Sequence, residues 1–257
     1  MLVLCYGIPK SGSTLAFELV RTALKNAGFG QKTFVNDARD LEGADAGLPG
    51  LRNFINDVDR AKVEGLIAKI GPKNKVAVKT HSPFPDEDFD WLEKAQTSGD
   101  LQVFASYRDP REICLSLMDA ARKARKRGFD AFNGIEELHK AQRNVEKRID
   151  EFRKWAALKG TVRLGYDITA FESDRALDLI EKTLQIECDR VEVKDYVFYE
   201  APTQRNKATK GRHTELSADD NADMLDKFGA FIRRVCEDDD QGWFDERRAE
   251  LLGVDRA

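Results

Sequence analysis

Cysteine is scarce in this chain, and its few cysteines form no recognisable metal or disulfide pattern. The 257 residues contain four of them, far apart and without a Cys-x-x-Cys pair: Cys5, Cys114, Cys188 and Cys236. This separation argues against both a disulfide framework and a zinc site. We therefore expect buried thiols.

Long apolar runs are also lacking. A membrane-spanning helix needs about 20 consecutive apolar residues, and the first apolar run covers only residues 2–6. No basic leader or cleavage site accompanies that run. We therefore expect a cytoplasmic protein with neither a signal peptide nor a membrane anchor.

No strong excess of positive charge is present either. The formal net charge is -4, which gives no electrostatic reason to expect nucleic acid as a partner. The basic run 122–127 is a local exception that we interpret as the solvated end of a helix, with a docking role as the alternative. With 41% hydrophobic residues, the chain has enough apolar material for one large domain over residues 1–257.

Residues 7–14, Gly-Ile-Pro-Lys-Ser-Gly-Ser-Thr, follow the first apolar run and precede a helical pattern. Two glycines let the backbone curl with its N–H groups inward, and the N-terminus of the next helix adds a positive dipole end. The spacing matches the pattern G-x-x-x-x-G-K-[ST], except that Ser13 stands where the pattern has lysine. The lysine is Lys10 instead, at the crown of the loop, which suits a charge developing on a group attached to a 5′-phosphate. We predict an anion site here, and an ordinary surface turn is the alternative.

Apolar runs alternate with helical periodicity along the chain. Strands are predicted at 2–6, 75–79, 101–107 and 162–166, with helices after the first and third and a long helix over 138–156. This alternation predicts an α/β protein with a phosphate-loop nucleoside-triphosphatase-like fold, in which helices flank a central parallel sheet. Residues that carry chemistry are then expected beyond the carboxyl ends of the strands.

Three predicted strand ends present polar side chains that suit a reaction centre. These side chains are Lys10, then Lys79 and His81, then Arg108 with Ser116 eight positions later. Of the three histidines, only His81 directly follows a predicted strand, where its imidazole could take a proton from a hydroxyl near neutral pH. Each residue alone has a plainer interpretation: a loop-packing histidine, a structural ion pair for Arg108, a small helical residue for Ser116.

Together these segments resemble the cytosolic sulfotransferases, which move a sulfuryl group from 3′-phosphoadenosine-5′-phosphosulfate (PAPS) to a hydroxyl or amine. The family's Pro-Lys-Ser-Gly-Thr-Thr loop for the 5′-phosphate is similar to residues 9–14, and its Lys-Thr-His, which ends in the catalytic base, is similar to residues 79–81. The family's arginine after a strand, with a serine eight positions later, binds the 3′-phosphate and is similar to Arg108 and Ser116.

Two further segments resemble the family less closely. Tyr166, at the end of the last predicted strand, is similar to a tyrosine that approaches the adenine, and residues 210–212 resemble an Arg-Lys-Gly segment that closes on the 3′-phosphate. The family's adenine-stacking tryptophan is Leu15 here, which leaves Phe198 or Tyr199 as candidates. The family's arginine of Arg-Lys-Gly is Thr209, for which Arg212 is a possible substitute.

The resemblance implies roles for these residues in a PAPS-dependent reaction that needs no metal. His81 would be the general base, Lys10 would neutralise the departing phosphate oxygen, and Lys79 would orient the sulfuryl group. The residues implied in binding the co-substrate are Lys10, Ser11, Gly12, Ser13, Thr14, Arg108, Ser116, Tyr166, Lys210, Gly211 and Arg212.

The acceptor implied by the resemblance is a small molecule or a glycan. We expect segments 31–55, 82–91 and 128–139 to line its pocket; a homodimer is allowed, and neither nucleic acid nor membrane is expected as a partner. One alternative is a small-molecule or nucleotide kinase, which would need magnesium, a lysine at position 13 and an acidic strand end. The other is a catalytically inactive nucleotide-binding protein on the same fold.

Overall fold

A parallel sheet lies at the centre of the computed structural model, which describes residues 1–31, 53–129, 132, 134–201 and 209–254. The strand order is β2-β3-β1-β4-β5, with β1 (Leu2–Gly7), β2 (Phe54–Ile55), β3 (Val76–Thr80), β4 (Leu101–Tyr107) and β5 (Val162–Gly165). All four pairings are parallel. The predicted fold class is therefore confirmed.

Helices cover both faces of this sheet. They are α1 (Ser13–Asn26), α2 (Arg60–Ile70), α3 (Phe89–Thr97), α4 (Pro110–Lys126), α5 (Leu138–Ala157), α6 (Tyr166–Phe171), α7 (Ser173–Leu184), α8 (Arg190–Asp195), α9 (Ala218–Phe231) and α10 (Gln241–Leu252). Short 3₁₀ turns occur at Asp86–Asp88 and Arg212–Glu215, and single π-helical turns at Tyr196–Glu200 and Ile232–Glu237. None of the helices in the described part of the chain combines the length and apolarity needed to cross a bilayer.

The central strand β1 is buried on both faces, which explains its nearly continuous apolar sequence. Successive side chains point to opposite faces of a strand. Leu2, Leu4 and Tyr6 pack with α2–α5, α9 and α10, whereas Val3 and Cys5 pack with α1, α7 and α8. The sheet is therefore the middle layer of three.

The strand order brings three carboxyl ends together. β1 lies between β3 and β4, with Tyr6 opposite Thr80 and Gly7 opposite Ser106. The segments that follow these strands therefore emerge at one edge of the sheet, at the point where the strand order reverses. This edge carries the predicted residues of the reaction centre.

Side-chain caps mark the starts of two helices. The Asp109 side chain accepts from the Arg111 N–H at 2.9 Å at the start of α4, and Ser217 accepts from the Asp220 N–H at 3.1 Å at the start of α9. The last predicted strand is one residue too long, because β5 ends at Gly165 and Tyr166 begins α6. Sequence reasoning did not assign α2, although the Asp59 side chain caps it.

The expectation of buried thiols holds for half of the cysteines. Cys5 and Cys114 are buried, whereas Cys188 and Cys236 are only partly so, and all four are free thiols. Burial raises the pKa of the Cys5 and Cys114 thiols well above their usual range. These two cysteines are therefore packing residues of the two core layers.

Candidate active site

The loop between β1 and α1 has the curled backbone expected of an anion site. Lys10 and Gly12 both adopt left-handed conformations, with φ of 70° and 86°. Gly12 precedes the first residue of α1 and supplies no side-chain cap. The first N–H groups of a helix have no acceptor within the helix, so the N-terminus of α1 is available to an anion.

Two positions of this loop require glycine, because neighbouring atoms lie too close to leave room for a Cβ. A Cβ at Gly7 would lie 2.2 Å from Ser106 Oγ and 2.3 Å from Ser13 Cβ. A Cβ at Gly12 would lie 2.5 Å from the Tyr166 ring, at a φ that L-residues rarely adopt. The loop is thus packed directly against β4 and α6.

We predict that Gly7→Ala destabilises the fold by about 1–3 kcal/mol, because the methyl group must displace β4 or the start of α1. Urea unfolding measures this free energy. Gly65→Ala on α2 is the matched control, since its Cβ would have no heavy atom of the described residues within 4 Å. This substitution should raise the free energy of unfolding by about 0.5–1 kcal/mol. Equal effects of the two substitutions would contradict the close approach at Gly7.

Lys79 connects β3 to the phosphate loop. Its Nζ donates to Thr14 Oγ1 at 2.9 Å, and the side chain is buried beside the Phe54 ring. Burial lowers the pKa of Lys79 to about 8, with Lys10 acting in the same direction and Cys5 and Glu18 opposing it. A buried ammonium group therefore lies at the point where the loop becomes α1.

His81 follows β3 directly, as predicted, and is fixed to the same loop. Its Nδ1 lies 2.6 Å from the Gly7 carbonyl oxygen, which can only accept, so Nδ1 carries the proton and Nε2 the lone pair. Arg148 donates to the His81 carbonyl at 3.3 Å, and Phe54 packs edge-on against the imidazole. Burial first, and then the nearby charges of Lys79 and Arg148, lower the pKa of His81 to about 3. The imidazole is therefore neutral at physiological pH.

Lys10 lies partly buried at the crown of the loop. Burial lowers its pKa, Lys123 of α4 acts in the same direction, and Asp119 of α4 opposes both. Lys10 also contributes to the lowered pKa values of Lys79 and His81. These mutual effects indicate that the three predicted catalytic residues share one electrostatic environment.

A second part of the candidate site is a cleft of about 710 Å³ beside the ends of β4 and β5, lined in part by Arg108, Tyr166, Lys210 and Gly211. The Arg108 guanidinium lies 3.9 Å from the centre of the Tyr166 ring. It also donates through Nε to Glu112 at 2.7 Å and through Nη2 to the Thr209 carbonyl at 3.1 Å. The structure therefore brings four of the predicted nucleotide-binding residues together.

Ser116 and Arg212 are buried and do not line this cleft. Ser116 lies on α4, about two turns beyond Arg108. The Arg212 guanidinium donates to Asp119 at 3.0 Å and to both oxygens of Glu215 at 2.9 and 3.0 Å. Its charge is therefore already compensated by two carboxylates.

The residues considered for adenine stacking have different environments. Leu15 is buried in the core layer that contains α1, and Phe198 packs partly buried against the same layer. Tyr199 is 85% exposed. Tyr166, between Gly12 and Arg108, is an aromatic ring in contact with both parts of the site.

The segments expected to line an acceptor pocket are only partly described. Residues 32–52, 130, 131 and 133 lie outside the described residues. Within residues 82–91, Phe84 and Phe89 are core residues, and Trp155 Nε1 donates to the Ser82 carbonyl at 3.1 Å. The Phe84 and Phe89 side chains therefore stabilise the fold and do not face an open pocket.

Two residues of the cleft were not expected to belong to the site. Glu112 forms an ion pair with Arg108. The Nδ1 of His213 lies 3.6 Å from Oε1 of Glu112. The spacing of four between Arg108 and Glu112 is a sequence signal for this pair. No sequence spacing indicates that His213 approaches Glu112, because that contact depends on the tertiary fold.

No family model and no curated protein matches this chain. Solved structures do match its fold. The mouse sulfotransferase SULT7A1 complexed with PAP has 12% identity and a TM-score of 0.54, over 99% of this chain and 89% of that one. Retinol dehydratase, in complex with androsterone and the inactive cofactor PAP, has 15% identity and a TM-score of 0.52, over 91% of this chain and 81% of that one. The chain therefore has the fold of these proteins.

Proposed function

We propose that this protein is a PAPS-dependent sulfotransferase that transfers a sulfuryl group to a hydroxyl or amine of a small molecule or glycan. One observation carries the proposal: Lys79 and His81, at the end of β3, are both bonded to the phosphate loop, to Thr14 at 2.9 Å and to the Gly7 carbonyl at 2.6 Å. Both residues are thereby held against the loop that carries Lys10, and we assign the three to one anion site. The shared fold with two PAP complexes supports the same donor.

In this proposal the loop holds the 5′-phosphate of the donor. The N–H groups at the start of α1 donate to its oxygens, together with the hydroxyls of Ser11, Ser13 and Thr14. Gly12 has no side chain to obstruct the approach of the phosphate. Lys10 lies at the crown, next to the oxygen that leaves the sulfur.

The cleft would hold the other end of the donor. Arg108 binds the 3′-phosphate, and Tyr166 contacts the adenine. Ser116 is buried on α4 outside the cleft and is not assigned a contact with the phosphate. Lys210 and Gly211 close over the nucleotide from the opposite wall, where Lys210 Nζ now pairs with Asp167 at 3.1 Å. We assign Arg212 to the support of this wall, because Asp119 and Glu215 occupy its guanidinium.

The chemistry assigned to these residues is a direct transfer. A bond forms between the acceptor oxygen and sulfur, the bond between sulfur and the phosphate oxygen breaks, and the acceptor proton moves to Nε2 of His81. Lys10 stabilises the negative charge that develops on the phosphate oxygen, and Lys79 orients the sulfuryl group. This scheme requires no metal.

The test is turnover of ³⁵S-labelled PAPS against a panel of phenols, sterols, amines and glycans, with and without a magnesium chelator. We expect label transfer to at least one acceptor class at a rate that the chelator leaves largely unchanged. Phosphoryl transfer from ATP that depends on magnesium would support the kinase alternative. Tight binding of PAP without transfer to any acceptor would support an inactive nucleotide-binding protein.

Arg108→Ala should weaken PAP binding by about 1.5–3 kcal/mol, the range for a charged hydrogen bond, and should hardly change the weak binding of 5′-AMP. Calorimetry with both nucleotides measures the difference. Arg175→Ala is the matched control, because Arg175 lines the same cleft and pairs with Glu172 at 3.1 Å. Equal losses for PAP and 5′-AMP would remove Arg108 from the 3′-phosphate site.

A further inference from the structure

His213 presents a buried polar atom whose hydrogen-bonding capacity is unused. Among the described residues its Nδ1 has no hydrogen-bond partner. The two nearest carboxylates lie slightly beyond hydrogen-bonding distance, Glu112 at 3.6 Å and Asp109 at 4.0 Å. A buried nitrogen without a partner is unfavourable. A small approach to Glu112 would satisfy it.

Glu112 is shared between two potential cations. Its Oε2 accepts from Arg108 Nε at 2.7 Å and lies 2.6 Å from Arg108 Nη2. The other oxygen, Oε1, faces His213. The two N–H groups on Arg108 Nη1 take no part in these bonds, so Arg108 retains donors for a phosphate while it holds Glu112.

Glu112 opposes the binding of an anion at this position. With a neutral His213, the charges of Arg108 and Glu112 cancel, and a phosphate bound to Arg108 lies near a carboxylate. Nearby cations are already paired: Arg111 with Asp109 at 2.6 Å, Lys210 with Asp167 at 3.1 Å, and Arg212 with Asp119 and Glu215. A proton on His213 would restore a positive charge to the pair.

The groups around His213 leave Glu112 as its natural partner. The charged and titratable groups that line the cleft or belong to the segment of His213 are Tyr107, Arg108, Asp109, Arg111, Glu112, Arg163, Tyr166, Asp167, Glu172, Arg175, Lys210, Arg212, Glu215, Cys236, Glu237 and Asp239. Glu112 and Asp109 are the two of these that lie within 4.0 Å of His213 Nδ1. Asp109 already holds the Arg111 guanidinium through both oxygens. Burial raises the pKa of the Cys236 thiol well above its usual range, so that group stays neutral.

We infer that His213 is a positioning residue for the donor's 3′-phosphate: on taking up a proton it becomes the second partner of Glu112 and leaves the charge of Arg108 to the phosphate. This inference rests on the proposed function, in which Arg108 binds that phosphate. Binding of PAP is thereby coupled to the uptake of a proton at His213.

Protonation of the protein and protonation of the ligand change the affinity for PAP in opposite directions. Because the inference couples PAP binding to proton uptake, PAP should bind more tightly as pH falls from 8 to 6. A phosphate monoester gains its own proton near pH 6, which lowers its charge and weakens its binding over the same range. Tighter binding of PAP at pH 6 would therefore come from a proton taken up by the protein and not by the ligand.

Calorimetry of PAP and 5′-AMP at pH 6 and pH 8 tests the inference. We expect the unsubstituted protein to bind PAP severalfold more tightly at pH 6 than at pH 8, since one pKa unit of coupling sets a limit of about tenfold. 5′-AMP should show no such gain. Repeating the titration in buffers of different ionisation enthalpy should reveal net proton uptake with PAP only.

Three variants identify the group responsible. His213→Gln should lose the gain at pH 6 and bind PAP no more tightly at pH 6 than at pH 8, because only the ligand's own protonation remains. His213→Lys, with a permanent charge, should bind PAP more tightly than the unsubstituted protein at pH 8 and should show no gain on going to pH 6. His139→Gln is the control, because His139 is exposed on α5 beside Glu137, and it should retain the full pH dependence.

The possible failures are distinguishable. If His213→Gln retains the pH dependence and the proton uptake, the inference about His213 is wrong, and the sulfotransferase proposal stands as long as PAP binds more tightly than 5′-AMP. If the unsubstituted protein binds PAP no more tightly than 5′-AMP at either pH, the proposed 3′-phosphate site is wrong and the role of His213 is overturned with it.

Discussion

Replacing His81 with alanine is expected to lower turnover about a hundredfold or more, the usual contribution of a general base, and to leave PAP affinity nearly unchanged. The imidazole has the tautomer that this role requires, since Nδ1 donates to the Gly7 carbonyl at 2.6 Å and Nε2 keeps its lone pair. Pre-steady-state turnover with labelled donor measures the loss, and PAP calorimetry measures the affinity.

A second substitution separates the base from the anchor. Asparagine at position 81 carries an amide N–H that could donate to the Gly7 carbonyl but has no basic nitrogen. If His81 is the base, His81→Asn and His81→Ala should lose turnover alike. Recovery of most of the turnover in His81→Asn would instead assign His81 to the support of the loop. His139→Ala is the exposed histidine control for the calorimetry and should leave PAP affinity unchanged.

The pH profile adds an independent check on His81. Burial and the charges of Lys79, Arg148 and Lys10 lower its pKa to about 3, so kcat/KM, which reports the free enzyme, should show no loss of activity from protonation of the base at the ordinary pKa of histidine. An anionic donor would offset those three cations and raise the pKa of His81. The acid limb of kcat, which reports the bound enzyme, should therefore lie at higher pH than that of kcat/KM.

Local patterns were sufficient to predict the framework of the site. The predicted strands 2–6, 75–79 and 101–107 end within one residue of the observed ends at Gly7, Thr80 and Tyr107, and Asp109 with Pro110 marks the start of α4. Each of these signals depends on residues within one element. A parallel sheet then brings the ends together without further information.

What sequence reasoning missed depends on contacts between distant segments. Arg212 and Asp119 lie 93 positions apart, and nothing local in either segment indicates that they form a buried pair. The approach of His213 to Glu112 is of the same kind. The π-helical turns at Tyr196–Glu200 and Ile232–Glu237 also carry no residue pattern of their own.

Some misses had local signals that were interpreted differently. Glu112 stands three residues after the N-cap Asp109, a position typical of a capping box, and yet its carboxylate binds Arg108. Segment 82–91 was expected to line the acceptor pocket, but its Phe84 and Phe89 are core residues. In both cases the competing tertiary contact determined the role of the residue.

Lys10→Ala is expected to cause the second large loss. It should lower turnover about a hundredfold and PAP affinity by less. The Lys10 charge matters most when the phosphate oxygen leaves the sulfur, so its removal raises the barrier more than it weakens the ground state. Single-turnover rates at saturating donor and PAP calorimetry separate the two effects. Lys94→Ala, at an exposed position on α3 paired with Asp90, is the charge control and should leave both unchanged. Weakened binding at an unchanged rate would make Lys10 an anchor only.

The backbone of Lys10 allows a sharper test, because its φ of 70° is unfavourable for a residue with a Cβ. Glycine at this position would relieve that strain, so Lys10→Gly should keep or raise the free energy of unfolding, by up to about 1 kcal/mol, while it loses turnover as Lys10→Ala does. Gln185→Gly is the matched control: Gln185 has a φ of 50° at the end of α7, and its replacement should give a similar gain in stability with full activity. Stability and activity that fall together in Lys10→Gly would mean that Lys10 supports the loop. Opposite changes would mean that the loop tolerates a strained lysine because the reaction needs its charge there.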